Sequence, residues 1–166
     1  GCEFNTGDDC IAIKSGRNRQ GYELGIPTEN VIIRNCIMKD GHGGVVIGSE
    51  ASGGARSVFV YDCEMNSPNL DIIVGEVKNA VIRINQNYRS KVSDGEIRYT
   101  TYRNIFVENL TCSKADYAIQ IMGLEALPIE NIKIIDCQFN NIRKENVLEH
   151  VEGLVLERVT INGQEI

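Results

Sequence analysis

The sequence has no tryptophan, only 6% aromatic residues, and no apolar run that approaches the length of a membrane span. A transmembrane helix needs about 20 consecutive apolar residues, so none is expected in this chain. What the sequence does contain is 16 glycines and an apolar set made largely of valine and isoleucine. Small and β-branched residues of this kind suit narrow, strand-rich units.

An excess of positive charge is also missing, because 23 acidic residues outnumber 17 basic ones and give a net charge of −6. Non-specific binding to nucleic acid or to an anionic membrane requires a basic surface, so neither partner is expected. A small anionic ligand is not excluded. The chain has no linker or low-complexity tract, and none of its six cysteines has the paired spacing of a zinc site.

An internal repeat occurs in five clear copies. The copies start at Asn30, Ser57, Asn104, Asn131 and Gly153. Apolar residues follow each start after one and three positions, as in Val31 and Ile33, and this alternation predicts a strand. Apolar residues recur after six and eight positions, as in Cys36 and Met38, so the apolar positions change from odd-numbered to even-numbered within each copy. Since successive strand side chains point to opposite faces, this shift requires a bend between two strands.

The predicted bend falls on a similar residue in most copies. These residues are Asn35, Asp62, Asn109 and Asp136, with Arg158 as the exception. Asn and Asp tolerate left-handed backbone angles, so each copy is predicted to be a strand, a corner and a strand. Asn109 also begins a glycosylation sequon, but we interpret it as a corner residue.

The spacing of the copies predicts the fold class. The starts are 27 (30 to 57), 47 (57 to 104), 27 (104 to 131) and 22 (131 to 153) residues apart. Strand-rich units of this length without a helical period predict an all-β fold, namely a right-handed single-stranded parallel β-helix with one copy per coil. We expect one β-helix domain over residues 1–166. It is expected to be truncated at its N-terminus, and to lack a coil near residues 71–72 because the following stretch contains no complete copy.

Like positions of successive coils form ladders, with coils about 4.8 Å apart. Cys2, Cys36, Cys63 and Cys137 share one inward position, where we predict buried, reduced thiols. Counting back one unit, Cys2 and Phe4 occupy the sixth and eighth positions of a copy whose start lies before Gly1. In that copy Asp8 is at the twelfth position, which His42 occupies in the copy that starts at Asn30. We therefore predict that Asp8 and His42 are neighbours on successive coils.

Two motifs surround these residues: Asn-Thr-Gly-Asp-Asp-Cys at residues 5–10 and Gly-His-Gly at residues 41–43. Neighbouring carboxylates such as Asp8 and Asp9 repel when both are ionised, which favours one protonated acid beside one base. Cleavage of a glycosidic bond needs this division of roles. From these residues alone, two other interpretations stay open. The aspartates could be solvated turn residues or calcium ligands, and the glycines could mark only a tight turn.

Residues 5–16 and 40–50 together resemble the polygalacturonase family, glycoside hydrolase family 28. The resemblance implies a right-handed β-helix that hydrolyses α-1,4-galacturonosyl linkages in pectin with inversion at the anomeric carbon, without a metal or another cofactor. It implies that Asp8 is the general acid, that Asp9 helps to activate the attacking water, and that His42 supports the acid and contacts substrate. Gly41 and Gly43 would leave room for the substrate.

Further candidate substrate-binding residues are Lys14 and Arg17, which supply local positive charge, together with Glu50 and Tyr88. Tyr88 closes a segment that resembles the family strand whose terminal tyrosine lines the cleft. Two family motifs are not found in their expected places: Asn-Thr-Asp one coil before Asp8, and Arg-Ile-Lys one coil after His42. We do not assign the role of the Arg-Ile-Lys arginine to Arg83, because the residues after Arg83 match a later family strand. We therefore expect weak or no hydrolysis by this chain.

The partner implied by the resemblance is a pectic polysaccharide or oligogalacturonide, with the protein expected to be a monomer in a secreted or periplasmic location. Two alternative functions remain on the same architecture. One is a calcium-dependent, pectate lyase-like enzyme that uses the acidic pair as metal ligands. The other is a non-catalytic β-helix that binds glycans or serves a structural role, because a fold does not fix a function.

Overall fold

A computed structural model describes residues 1–66, 80–86 and 99–166 of the chain. In these residues the structure is a parallel β-helix, as predicted. Its strands are β1 (Glu3–Phe4), β2 (Ile11–Ile13), β3 (Thr28–Arg34), β4 (Ile37–Met38), β5 (Gly43–Ile47), β6 (Ala55–Met65), β7 (Ala80–Asn85), β8 (Tyr102–Cys112), β9 (Tyr117–Met122), β10 (Ile129–Ile135), β11 (Gln138–Phe139), β12 (Val147–Glu149), β13 (Val151–Glu157), β14 (Thr160–Ile161) and β15 (Gln164–Glu165). A short helix, α1 (Asn18–Leu24), follows β2, and no helix in the described parts is long and apolar enough to cross a membrane.

The strands form two sheets that run along the stack of coils. The first sheet has ten strands and the second has five, in the order β12-β9-β7-β5-β2. The described pairings are parallel except for the terminal β14–β15 pair, which is antiparallel. Parallel pairing of each strand with its equivalent one coil away is what stacked repeats require.

The register confirms the repeat. Val31 lies opposite Val58, and Val58 lies opposite Ile105, with Ile132 and Leu154 continuing the same ladder. The second strand of each copy behaves in the same way, since Phe4 pairs with Met38 and Met38 with Met65. Counting residues in the sequence therefore predicts which side chains are neighbours in space.

The predicted corners are confirmed by backbone angles. Asn35, Asp62, Asn109 and Asp136 have φ between 50° and 53°, which is the left-handed region. Arg158 has φ 51° at the equivalent position, although arginine rarely adopts it. Its guanidinium makes a bidentate ion pair with Asp136 of the preceding coil, with Nε–Oδ1 at 2.5 Å and Nη2–Oδ2 at 2.9 Å. These bonds offset the conformational cost of arginine in this position.

A second left-handed position was not predicted. The residues that start the copies also have positive φ, from 55° at Asn131 to 65° at Gly153. Two of these side chains bond from one coil to the next, since Nδ2 of Asn131 donates to Oδ1 of Asn104 at 2.7 Å. This explains why Asn recurs at the starts of the copies.

The core lies inside the coils and consists mainly of β-branched residues in continuous ladders. Cys36, Cys63 and Cys137 are buried and free, as predicted. The prediction for Cys2 is wrong, because this thiol is exposed. Cys2 belongs to the first coil of the described stack, so neighbouring coils enclose it less than its equivalents further along.

The 47-residue spacing belongs to a single coil, because β6 pairs directly with β8 while β7 lies between β5 and β9. The expected loss of a coil near residues 71–72 lies outside the described residues and stays a prediction.

Candidate active site

The candidate site lies at the turn where the chain passes from the first sheet into the second. Asp8 and Asp9 precede β2, and His42 directly precedes β5. These two strands pair in parallel with Ile11 opposite Val45, which places Asp8 opposite His42. The structure thus confirms that the two residues are neighbours on successive coils.

Asp8 and His42 are joined through both main chain and side chain. The backbone N–H of His42 donates to the carbonyl oxygen of Asp8 at 3.1 Å, and Nδ1 of His42 lies 3.3 Å from Oδ1 of Asp8. The backbone N–H of Asp9 also donates to Oδ1 of Asp8, at 2.8 Å. The Asp8 side chain is nevertheless 87% exposed, against 19% for His42. Asp8 is therefore oriented through one oxygen and still open to a ligand.

Asp9 occupies a different environment. Its side chain is partly buried, and burial followed by the nearby negative charge of Asp8 raises the pKa of its carboxyl. Arg83, Lys14 and His42 act in the opposite direction but do not cancel this rise. The two adjacent carboxylates thus lie in different environments, with Asp8 exposed and Asp9 partly buried.

The more buried member of the acidic pair is Asp9, which the resemblance implies to be the base rather than the general acid. The raised pKa belongs to Asp9, the implied base, because Asp9 is the more buried member. Asp8 is the more accessible one and is the better placed to reach a bound glycosidic oxygen.

The glycines beside His42 have packing reasons of their own. A Cβ on Gly41 would lie 2.6 Å from the carbonyl oxygen of Asp8 and 2.9 Å from Sγ of Cys10. A Cβ on Gly43 would clash with the Val46 side chain and lie 3.1 Å from Oδ1 of Asp9. Both glycines therefore allow close approach of protein groups, and a role in accommodating substrate stays a prediction.

Three of the other predicted residues form an ion cluster at the far end of β2 and β5. Glu50 lies between Lys14, at 3.6 Å, and Arg17, at 3.5 Å. Lys14 is also close enough to Asp9 to lower its pKa. Tyr88 lies outside the described residues. Among the described residues, no three His, Cys, Asp or Glu side chains form a group that could hold a metal ion.

From the sequence no role in the site is predicted for Arg83, yet the structure brings it close to the acidic pair. This residue lies on β7 opposite Val46 of β5, one coil after His42, and its charge acts on Asp9. Its Nε is buried and has no hydrogen-bond partner among the residues that the structure describes. A buried donor without a partner is unfavourable unless a ligand satisfies it, so Arg83 is a candidate for binding an anionic group beside the acidic pair. The 47-residue coil concealed this register in the sequence.

Replacing Asp9 with asparagine is expected to raise the melting temperature at neutral pH. The raised pKa means that folding favours the protonated carboxyl, so its contribution to stability is present below about pH 4 and is lost as the pH rises through the raised value. Asparagine mimics the neutral form at every pH. Thermal unfolding should show a higher melting temperature for the variant than for the parent at neutral pH, and no such difference below pH 4. An Asp9→Asn variant that melts earlier than the parent at neutral pH would contradict this expectation.

Comparisons with known proteins agree with this geometry. The sequence pattern of glycosyl hydrolases family 28 matches residues 1–146. A Vitis vinifera protein named "Probable polygalacturonase" is 27% identical over 123 residues, which cover 74% of this chain and 21% of that protein. The crystal structure of a hyperthermoactive exopolygalacturonase from Thermotoga maritima is similar with a TM-score of 0.67 and 30% identity, covering 99% of this chain and 41% of that one. The chain thus spans less than half the length of either relative.

Proposed function

Since this chain belongs to glycosyl hydrolase family 28, we propose that its site hydrolyses α-1,4-galacturonosyl linkages in pectin by inverting acid/base catalysis. The observation that carries the proposal is the arrangement of Asp8, Asp9 and His42. An exposed carboxyl contacts a histidine at 3.3 Å and stands beside a partly buried carboxyl with a raised pKa. Glycosidic hydrolysis uses two carboxyl groups in different protonation states.

In this mechanism Asp8 donates its proton to the leaving glycosidic oxygen. His42 and the backbone N–H of Asp9 hold its Oδ1, which fixes the orientation of the carboxyl. Both contacts restrict the rotation of the side chain, and such positioning lowers the barrier to proton transfer. The exposed carboxyl of Asp8 is accessible to the glycosidic oxygen of a bound substrate.

Asp9 acts as the base that activates water. It must be ionised for this role, so its raised pKa predicts that the rate falls in acid at a higher pH than for an ordinary aspartate. Arg83 and Lys14 favour the ionised form of Asp9. Inversion follows if the water attacks the face of the sugar opposite to the leaving group.

Substrate recognition rests on positive charge near the acidic pair. The unpartnered Nε of Arg83 is suited to the carboxylate of a galacturonosyl unit, and Lys14 and Arg17 extend the positive charge along the second sheet. A local cationic surface of this kind attracts a polyanion even though the net charge is −6. Glu50 is proposed to position the two cations that it contacts.

We also propose that the pectic substrate is met outside the cytoplasm, in a secreted or periplasmic setting, and that the chain acts as a monomer. Family membership supports a pectic substrate, because both relatives are named as polygalacturonases. Size-exclusion chromatography at working concentration would test the monomer.

Incubation with polygalacturonate separates the competing functions. We expect slow release of reducing ends without an unsaturated, ultraviolet-absorbing product, and no effect of a chelator. Chelator-sensitive formation of the unsaturated product would support a calcium-dependent lyase instead. Saturable binding of polygalacturonate with no cleavage would support a non-catalytic glycan-binding β-helix.

A further inference from the structure

Main-chain hydrogen bonds hold the turn that carries the acidic pair against the next coil. At the start of this turn the backbone N–H of Thr6 donates to the carbonyl oxygen of Asp40 at 2.9 Å. Two residues later the carbonyl oxygen of Asp8 accepts from the backbone N–H of His42 at 3.1 Å. The carbonyl of Asp8 is therefore part of the contact between the two central residues of the site.

The side chain of Thr6 bonds to this same carbonyl. Its Oγ1 donates to the carbonyl oxygen of Asp8 at 2.6 Å, which is within the normal range for an O–H···O bond. Other acceptors are farther from this hydroxyl, with the carbonyl oxygen of Asp40 at 3.4 Å and Sγ of Cys10 at 3.8 Å. A carbonyl oxygen has two lone pairs and can accept two hydrogen bonds, so Thr6 and His42 satisfy it together.

The carbonyl of Asp8 and the N–H of Asp9 belong to one peptide unit. A peptide unit is planar, so fixing the direction of its carbonyl also fixes the direction of its N–H. That N–H donates to Oδ1 of Asp8 at 2.8 Å, and the same Oδ1 lies 3.3 Å from Nδ1 of His42. The hydroxyl of Thr6 therefore acts on the orientation of the Asp8 carboxyl through a single rigid unit.

Cys10 and Gly41 lie against the hydroxyl of Thr6. The thiol of Cys10 donates to the carbonyl oxygen of Lys39 at 3.5 Å, and burial raises its pKa, so it stays protonated at neutral pH. A Cβ on Gly41 would lie 3.0 Å from Oγ1 of Thr6. The hydroxyl is thus closely packed between two coils, which restricts its movement.

We propose that Thr6 is a positioning residue for the general acid: its hydroxyl fixes the peptide unit between Asp8 and Asp9 and thereby holds the Asp8 carboxyl against His42. In this role Thr6 acts through Asp8 and exchanges no proton with the substrate. The catalytic consequence rests on the proposed function, because it requires Asp8 to be the acid. The positional consequence does not, because it follows from hydrogen bonds within the two turns.

Thr6→Ala and Thr6→Ser form the test pair, because they differ only in the hydroxyl. Hydrogen exchange of the backbone N–H of His42, followed by NMR of protein labelled with heavy nitrogen, reports on the Asp8 carbonyl without any need for activity. Thr6→Ala should exchange about 5- to 10-fold faster than the parent, because a hydrogen bond that orders this carbonyl is lost. Thr6→Ser should exchange like the parent. So should the matched control Thr28→Ala, which removes a hydroxyl that bonds to the carbonyl oxygen of Lys14 at 2.5 Å.

Kinetics on oligogalacturonides test the catalytic consequence. Thr6→Ala should lower kcat about tenfold and leave KM within about twofold of the parent, because a misoriented acid slows proton transfer rather than binding. Thr6→Ser should restore kcat. An unchanged kcat in Thr6→Ala would overturn the positioning role.

The exchange rates also separate this inference from the proposed function. An unchanged His42 rate in Thr6→Ala would overturn the inference, even if Asp8→Asn abolishes cleavage as expected. Equal acceleration of the N–H groups of β8 would do the same, because it would show a general loss of stability. If the parent cleaves no galacturonan, the proposed function fails, while the His42 rate still decides whether Thr6 orders the peptide unit.

Discussion

Replacing Asp8 with asparagine is expected to lower the rate of galacturonan hydrolysis by about 10²- to 10⁴-fold, the contribution typical of a general acid. Asparagine keeps an oxygen that accepts from the backbone N–H of Asp9 and faces His42, so the geometry at Oδ1 is retained. What is lost is the proton for the leaving oxygen. Release of reducing ends from oligogalacturonides measures the effect, and the circular dichroism spectrum checks that the variant is folded.

Asp62→Asn is the matched control for that variant. Asp62 is an exposed aspartate at a left-handed corner, and asparagine already occupies the equivalent corners at Asn35 and Asn109. This variant should therefore fold normally and keep the activity of the parent. An Asp8→Asn variant that is as active as Asp62→Asn would show that Asp8 donates no proton.

Replacing Gly41 with alanine is expected to affect both stability and activity. The added Cβ would lie 2.6 Å from the carbonyl oxygen of Asp8, a main-chain atom that cannot move without shifting its coil. Overpacking of this kind costs about 1–3 kcal/mol, which lowers the melting temperature by roughly 2–12 °C in a chain of this size. Because this displacement of the main chain separates Asp8 from His42, the rate of hydrolysis should fall by about 10²-fold relative to the parent. Thermal unfolding and steady-state kinetics measure the two effects.

Gly7→Ala provides the control for stability. A Cβ on Gly7 would meet no atom within 4 Å, and Gly7 is not among the glycines with positive φ. It should melt close to the parent temperature. Equal melting temperatures for Gly41→Ala and Gly7→Ala would contradict the close packing of Gly41 against Asp8.

Much of the fold could be predicted because a β-helix repeats its register. Once apolar positions are aligned, as for Val31, Val58 and Ile105, the coil spacing converts sequence offsets into neighbours. The same counting placed Asp8 beside His42. The corner at Asp62 was predictable because few residues tolerate its φ. The left-handed residues at the starts of the copies were missed, because the strand ladder continues through them.

Other features of the site depend on strand pairing and burial, which cannot be read from a residue's position in the repeat. Arg83 could not be placed, because the coil that contains it is 47 residues long and its neighbours are set by pairing with β5 and β9. The different environments of Asp8 and Asp9 arise from burial in three dimensions, although the two residues are adjacent in sequence. The exposure of Cys2 likewise depends on its position in the stack.

The most direct test of the proposed chemistry is one turnover of an oligogalacturonide in water enriched in heavy oxygen, followed by NMR and mass spectrometry. The proposed mechanism predicts heavy oxygen at the anomeric carbon of the new reducing end, with the β-anomer formed first. It also predicts no such product from Asp8→Asn. An unsaturated product without heavy oxygen, a first product of α configuration, or equal turnover by Asp8→Asn would contradict inverting hydrolysis at this site.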